Sequence, residues 1–295
     1  MQRAAFAFFF GWLLLAWFIA PDYGMSFDEP LQRDLGFANA QYINEELGLG
    51  LEKLSNLVLR EQPNRYHGPV FTTTAFWLER WLKPDNFHQA YLLRHRFTAI
   101  LFWSAGLALY GISLMLFGRR WWALLPPLLL LLSPRQFAHG FYNPKDIPLL
   151  VFYCWSMWSA ASFLTRKAAT SYWRELGLLL VFAATSGVAI AQRPSGLILP
   201  AVASILLLID TIYRKKGWWH LPTYIALLGV FTVAFWPILW QSPFSELKTA
   251  MSTMTQFNWD GPMLFNGEIV RSVSLPWYYL PGWMCLSVPV AYLLF

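Results

Sequence analysis

The sequence predicts an all-α, polytopic integral membrane protein. Of its 295 residues, 57% are hydrophobic and only 13% are charged, which is too few charges for a water-soluble domain of this size. The apolar residues are gathered in runs that suit helices crossing a bilayer, because a crossing takes roughly 20 residues at about 1.5 Å each. Short basic connections recur between these runs, as the positive-inside rule expects.

The predicted spans follow one another along the chain. They cover residues 4–20, 97–117, 121–132, 147–164, 176–191, 196–213 and 222–240, and an eighth begins near Leu280. The eighth run is still apolar at Phe295, so we expect an incomplete span in a chain that is truncated or part of a longer protein. The first run carries Trp12 and Trp17 and lacks a small-x-small cleavage pattern, which indicates an uncleaved anchor. Together the spans predict a single transmembrane domain, residues 1–295.

Basic residues predict the orientation of this domain. Clusters at 118–120, 165–167 and 214–216 follow alternate spans and fall on the same side as Arg3. The positive-inside rule makes that side cytoplasmic. The net charge of +6 is therefore explained by orientation and by contact with anionic lipid, and no basic patch on a soluble domain points to nucleic acid.

Two long segments are predicted on the opposite, outer side. The first, residues 21–96, contains stretches at 31–51 and 71–82 whose mixed apolar and charged residues fit amphipathic helices at the membrane interface. The second covers residues 241–279. The sequence has no Gly-rich phosphate loop, no His-Glu-x-x-His and no Gly-x-Ser-x-Gly, so nucleotide hydrolysis, zinc proteolysis and serine hydrolysis lack their motifs.

The polar connection at residues 133–148 is the first candidate for a working surface. It lies between two apolar runs, where hydrogen-bonding groups are costly to place, and it holds Arg135, His139, Asn143, Lys145 and Asp146. Arg135 and Lys145 could hold phosphate oxygens at the N-terminus of the following helix. The structural alternative is that Lys145 and Asp146 cap that helix while Arg135 and His139 anchor the interface.

An acidic pair, Asp28 and Glu29, follows the first span. Two adjacent carboxylates just above a bilayer repel each other, which suits one of them as a general base or as a metal ligand. A divalent metal ion therefore stays open as a cofactor. The alternative is the start of a helix, with an acid ahead of Pro30.

Three further residues of the outer side are candidates for ligand contact. Arg193 lies where two spans meet, and is either a phosphate ligand or an interfacial anchor. His67, in Tyr-His-Gly-Pro, and Asp260, in Asn-Trp-Asp-Gly, are candidates for a substrate pocket, together with His139 and Asn143 of the polar connection. For His67 the alternative is a structural or solvated position in a loop.

These features together resemble the GT-C superfamily of membrane glycosyltransferases. The resemblance is closest to the branch with the protein O-mannosyltransferases and the lipid A aminoarabinose transferase. An amino-terminal span, the early Asp28-Glu29 pair in a long outer loop and the stretch Tyr-Asn-Pro-Lys-Asp-Ile-Pro at 142–148 carry it. It implies a GT-C-type helical bundle in the bacterial inner membrane, with its active site at the outer, periplasmic face.

The resemblance also implies an activity and roles. The protein would move a sugar from a polyprenyl-phosphate carrier to an acceptor (protein, lipid or glycan), with inversion. Asp28 would be the catalytic base, assisted by Glu29, and Asp146 the second acid, while Lys145 and Arg193 would hold the lipid phosphate. The rival function is a transporter or flippase for a lipid-linked or amphiphilic solute. Polar clusters at one face, without internal repeats, favour the enzyme.

Overall fold

The computed structural model describes residues 2–118, 121–167, 171–215, 217–256 and 260–293. Arg119, Arg120, Lys216 and Phe295, which entered the sequence predictions, lie outside these ranges. Nearly all regular structure within them is helical, in agreement with the predicted class. The helices are α1 Gln2–Ile19, α2 Glu29–Glu46, α3 Pro69–Leu82, α4 Phe87–Phe117, α5 Leu125–Leu132, α6 Pro134–Tyr142, α7 Asp146–Leu164, α8 Tyr172–Gln192, α9 Ile198–Arg214, α10 His220–Ala234, α11 Pro243–Thr255, α12 Tyr279–Ser287 and α13 Val290–Leu293. One antiparallel hairpin pairs β1 Pro262–Phe265 with β2 Glu268–Arg271.

Within the described part of the chain, five helical segments are long and apolar enough to cross a membrane. They are Arg3–Asp22, Phe87–Phe117, Asp146–Leu164, Tyr172–Gln192 and Pro194–Arg214, and each contains or matches a predicted span.

Three of the eight predicted spans are not among these five segments. Trp121–Leu132 and His220–Ala234 are apolar but shorter; the first is only about 18 Å long, against roughly 30 Å of hydrocarbon. The run from Leu280 is broken, because α12 ends before Pro289, a residue without the N–H that a continuing helix uses.

The two amphipathic helices predicted in the first long segment are present as α2 and α3. Each has a proline in its first turn, Pro30 or Pro69, which suits a helix start. They are fixed to the bundle by a buried carboxylate on α3. Glu79 accepts hydrogen bonds from Arg33 of α2, 2.8 Å away, and from Arg94 of α4.

The core consists of three clusters that hold the helices side by side. The cluster between α1, α4, α6 and α7 includes Phe9, Trp12, Phe102, Phe141 and Val151. The cluster that joins α2 to the end of α8 and to the turn after α10 includes Leu35, Tyr42, Ile190, Trp236 and Ile238. The cluster between α7, α8, α9 and α10 includes Phe163, Leu179, Phe182, Leu207 and Tyr224.

The bundle has two different ends. One end, which we call the loop end, gathers residues 20–30, 66–69, 142–146 and 192–195. The opposite end, the basic end, is held by Arg166, whose nearly buried guanidinium lies 2.9 Å from both Glu175 and Asp210. Arg214 pairs with Asp210 on its other side. Because a buried charge is stable only when paired, this network fixes α7, α8 and α9 relative to one another.

Candidate functional site

Four segments that are far apart in the sequence meet at the loop end. The ring of Tyr23 stacks on Phe141 with centroids 4.3 Å apart, and the Ser26 hydroxyl donates to the Tyr142 carbonyl over 3.1 Å. These two contacts attach the chain after α1 to α6. The connection before α7 is thereby placed beside the start of α2.

Gln192, the last residue of α8, joins the other two segments. Its side-chain amide donates to the Pro144 carbonyl over 3.2 Å, and its backbone carbonyl accepts from Gly68 N–H over 3.1 Å. Gly68 has φ +42°, and a Cβ there would lie 2.8 Å from the Gln192 amide nitrogen. Only glycine fits this backbone and this approach, so the loop that carries His67 is held against the α7–α8 corner.

Two ion pairs form side by side where these segments meet. Lys145 Nζ lies 3.0 Å from Asp28 Oδ1, and Arg193 Nη1 is hydrogen-bonded to Asp146 Oδ1. We call Asp28, Lys145, Asp146 and Arg193 the four-charge cluster. The carboxylates are its exposed members, with 49% of the Asp28 side chain and 55% of the Asp146 side chain accessible. A solute or a lipid headgroup can therefore reach both acids.

Asn143 caps the start of α7, so the charged side chains of Lys145 and Asp146 can form the ion pairs of the four-charge cluster. Its side-chain oxygen accepts from the backbone N–H groups of Lys145 and Asp146, at 3.1 and 2.8 Å, and so satisfies donors at the start of α7. Its NH₂ group donates to Asp146 Oδ2 and lies 2.7 Å from His139 Nδ1. Asn143 thus does the capping that the structural alternative gave to Lys145 and Asp146.

Glu29 lies in surroundings unlike those of Asp28. It is buried, accepts from the Ser26 backbone N–H over 2.6 Å, and has its other oxygen 2.9 Å from His95 Nε2. Asp28 stands at the N-cap position of α2 but makes no side-chain cap. Glu29 therefore positions the start of α2, and Asp28 extends to Lys145.

Both predicted histidines are held neutral near the cluster. Burial lowers the pKa of His67 to about 4, with further lowering by the positive charges of Lys145 and Arg193. Burial also lowers the pKa of His139, and Arg135 acts in the same direction. A neutral His139 can accept the hydrogen bond from Asn143.

A cavity of about 460 Å³ opens beside Asp146. Arg135 and His139 of α6 line one wall, and Met284 and Tyr292 of the last helices line another. Arg135 and Asp146 therefore line the same cavity, and the Arg135 side chain is exposed. The cavity size is within the range of ordinary ligand sites.

Asp260 lies apart from these residues in its contacts. It is exposed at the base of the hairpin, and both of its oxygens accept from Arg271 of β2. Its neighbours Asn258 and Trp259, which share its motif, are outside the described residues. The contacts that the structure describes for Asp260 therefore stay within the hairpin.

Gln192, Ser26 and His95 were not predicted from the sequence. Gln192 and His95 are buried polar residues in long helices that are mostly apolar, and that feature alone was an available signal. Ser26 gave no signal, because its partner is the backbone of a residue on another segment.

The accessible acids of the site contact cations in the part of the chain that the structure describes. Among the described residues, no group of three or more His, Cys, Asp or Glu side chains is arranged to hold a metal ion. Asp28 and Asp146 each contact a cationic side chain instead.

Comparison with known proteins gives no relative of this chain. No family model, no curated protein and no solved structure matches it. The resemblance to the GT-C superfamily therefore stands on the sequence motifs alone.

Proposed function

We propose that the protein is a membrane glycosyltransferase that moves a sugar from a polyprenyl-phosphate carrier to an acceptor at the outer face of the bacterial inner membrane. The four-charge cluster is the observation that supports this proposal. Two carboxylates and two cations, each acid accessible, lie together at one end of a bundle whose long helices suit a bilayer. A polyprenyl phosphate needs cations for its headgroup and a membrane for its chain.

Asp28 is the base in this proposal. An acceptor hydroxyl or amine attacks the anomeric carbon of the sugar, and its proton passes to the Asp28 carboxylate. The bond between that carbon and the phosphate oxygen breaks, and its electron pair leaves with the polyprenyl phosphate. A single displacement of this kind inverts the anomeric centre. Phosphate is already a good leaving group, so the main requirements are a base and compensation of the departing charge.

Lys145 and Arg193 supply that compensation. Each is paired with a carboxylate, and a phosphate placed between them could accept hydrogen bonds from both cations. If the Lys145 ammonium group moved from Asp28 to the phosphate, the Asp28 carboxylate would lose its ion pair and become available as the base. Asp146, held by Asn143 and Arg193, faces the cavity with Arg135 and His139, which is a suitable place for the sugar.

The test replaces Asp28 by Asn. Purified protein in lipid nanodiscs is given undecaprenyl-phosphate-linked hexoses and a crude envelope fraction as acceptor, and release of undecaprenyl phosphate is measured. Loss of a general base lowers turnover by about 10²- to 10⁴-fold, so we expect Asp28→Asn to fall in that range with its melting temperature retained. Intact-mass analysis of envelope glycans from cells with and without the protein identifies the product.

Asp85→Asn is the matched control, since Asp85 is an exposed acid of the same long segment outside the four-charge cluster. It should keep full turnover. Full turnover by Asp28→Asn contradicts the assignment of the base. Transbilayer movement of an intact lipid-linked sugar, without release of the carrier phosphate, favours the transporter instead.

A further inference from the structure

Three consecutive residues of α4 carry the observation on which a second site rests. Arg94 and His95 are buried and point toward acids: Arg94 pairs with Glu79, and His95 Nε2 lies 2.9 Å from Glu29. Successive residues on a helix point about 100° apart, so Arg96 is turned away from both acids. Arg96 forms no ion pair with any carboxylate that the structure describes.

Arg96 lies instead in an apolar groove between α1, α3 and α4. The groove has a volume of about 690 Å³, and Trp17, Leu82 and Ile100 are among the residues that line it. These three side chains are 45%, 51% and 40% exposed, so the groove opens on the lateral surface of the bundle. The Arg96 guanidinium carbon lies 4.1 Å from the centre of the Trp17 ring.

One nitrogen of this guanidinium lacks a hydrogen bond. Arg96 Nε is buried and has no partner among the described residues. A buried N–H without an acceptor is unfavourable, and more so when it carries charge. The Trp17 ring makes a cation–π contact with the face of the guanidinium. It cannot accept the hydrogen bonds that the guanidinium N–H groups donate in their own plane. The missing component is an acceptor oxygen, preferably anionic.

The depth of Arg96 indicates where that oxygen comes from. Helix α4 has 31 residues, about 46 Å at 1.5 Å per residue, whereas hydrocarbon takes roughly 30 Å. Counting about 30 Å back from Phe117, at the basic end, reaches Phe97. The backbone of Arg96 therefore lies at the edge of the hydrocarbon, from which an arginine side chain reaches the lipid phosphates, while Phe97 and Ile100 of the groove lie beside the acyl chains.

We propose that this groove binds one glycerophospholipid of the leaflet at the loop end. The phosphate accepts hydrogen bonds from the Arg96 fork, which matches phosphate geometry, and one acyl chain lies against Phe97 and Ile100, which follow Arg96 toward the membrane core. Such a lipid would bridge α1, α3 and α4. The site is separate from the four-charge cluster and does not depend on the proposed transferase activity.

Lipid retention tests the proposal. The protein in detergent is titrated with phosphatidylglycerol, with diacylglycerol of the same chains and with glycerol 3-phosphate, and bound lipid is counted by native mass spectrometry. We expect tight binding of one phosphatidylglycerol and weak binding of the other two ligands, because phosphate and chain are both needed. Arg96→Gln should raise the Kd for phosphatidylglycerol about tenfold, which corresponds to about 1.4 kcal/mol.

Arg80→Gln is the matched control. Arg80 is an exposed arginine of α3 that does not line the groove, and its loss should leave the Kd unchanged. Ile100→Trp keeps Arg96 but narrows the groove, and should also weaken binding. If Arg96→Gln does not fold, Ile100→Trp and the comparison of the three ligands on the unaltered protein still decide the matter.

Four results overturn the proposal. One is equal binding of phosphatidylglycerol and diacylglycerol by the unaltered protein. Another is the same Kd for Arg96→Gln as for Arg80→Gln. The third is an unchanged Kd in Ile100→Trp. The fourth is a preference for undecaprenyl phosphate over phosphatidylglycerol that Arg96→Gln abolishes, since the groove then belongs to the carrier lipid.

Discussion

Asp28 and Glu29 are adjacent in the chain, yet their carboxylates lie in different environments. Glu29 is buried against His95 and the Ser26 backbone, and Asp28 is half exposed beside Lys145. Asp28 and Glu29 are the first residues of the α2 start, where consecutive side chains point in different directions. This explains why one carboxylate is buried and the other is accessible. At the residue scale, the sequence predicted an acidic pair but not which of the two acids is accessible.

His67 makes the stability of the loop end sensitive to pH. Its folded pKa is lowered to about 4 from 6.5, first by burial and then by Lys145 and Arg193, with a partial opposite effect from Asp28. Between these two values the unfolded chain binds more protons than the folded one, so the free energy of unfolding falls as pH falls. Above about pH 6.5 this penalty is absent.

We therefore predict that His67→Gln shows a smaller loss of melting temperature between pH 7 and pH 5 than the unaltered protein. Thermal unfolding in detergent at stepped pH measures this slope. His88→Gln is the control, because it removes an exposed imidazole without touching the loop that Gln192 holds. An identical slope for His67→Gln and the unaltered protein would show that His67 titrates normally.

At the scale of elements, apolar runs predicted the long helices well and the short ones less well. α10 and α12 end before their apolar runs do, because prolines and turns set their lengths, and an apolar run does not show this. α5 ends at Leu132 as predicted. The hairpin was not predicted, although Asn266-Gly267 between its strands is a strong turn signal. Both residues have positive φ, 52° and 84°, as a tight hairpin turn requires.

Close packing of α1 on α4 depends on a small residue. A Cβ at Gly106 would lie 2.4 Å from the Trp12 ring, and that ring is buried in the core. We predict that Gly106→Ala lowers the free energy of unfolding by about 1–3 kcal/mol, the usual cost of overpacking. Reversible unfolding in detergent and denaturant measures the change.

Gly11→Ala on α1 is the control for Gly106→Ala, because a Cβ there meets nothing within 4 Å. It should be neutral, or slightly stabilising through helix propensity. Equal effects of the two substitutions would mean that α1 does not pack against α4 at this position.

At the scale of the whole molecule, the two ends of the bundle differ in the accessibility of their acids. The loop end presents the exposed carboxylates of the four-charge cluster. The basic end encloses its acids in the network of Arg166 and Arg214. The orientation is predicted instead from the Lys and Arg residues of the short connections, which the positive-inside rule counts.

The orientation can be measured by cysteine labelling. Cys285 is exposed and Cys154 is buried, so Cys285→Ser gives a background of low reactivity. We predict that Asp85→Cys, at the loop end, reacts with an impermeant maleimide on spheroplasts of intact cells, and that Arg174→Cys, at the basic end, reacts only after permeabilisation. The reverse pattern would put the four-charge cluster in the cytoplasm and exclude the proposed periplasmic reaction.

The sequence alone was sufficient for the helical class, the positions of most long helices, the presence of two helices in the first long segment and the four residues of the four-charge cluster. These features depend on local sequence, because an apolar run or a polar connection can be recognised within about 20 residues. Tertiary structure decided the pairings: Asp28 with Lys145, Asp146 with Arg193, Glu29 with His95, and Arg96 with no acid of the described ranges. A residue pattern shows that a helix face is covered but not which segment covers it, because partners far apart in sequence are selected only when the whole bundle packs.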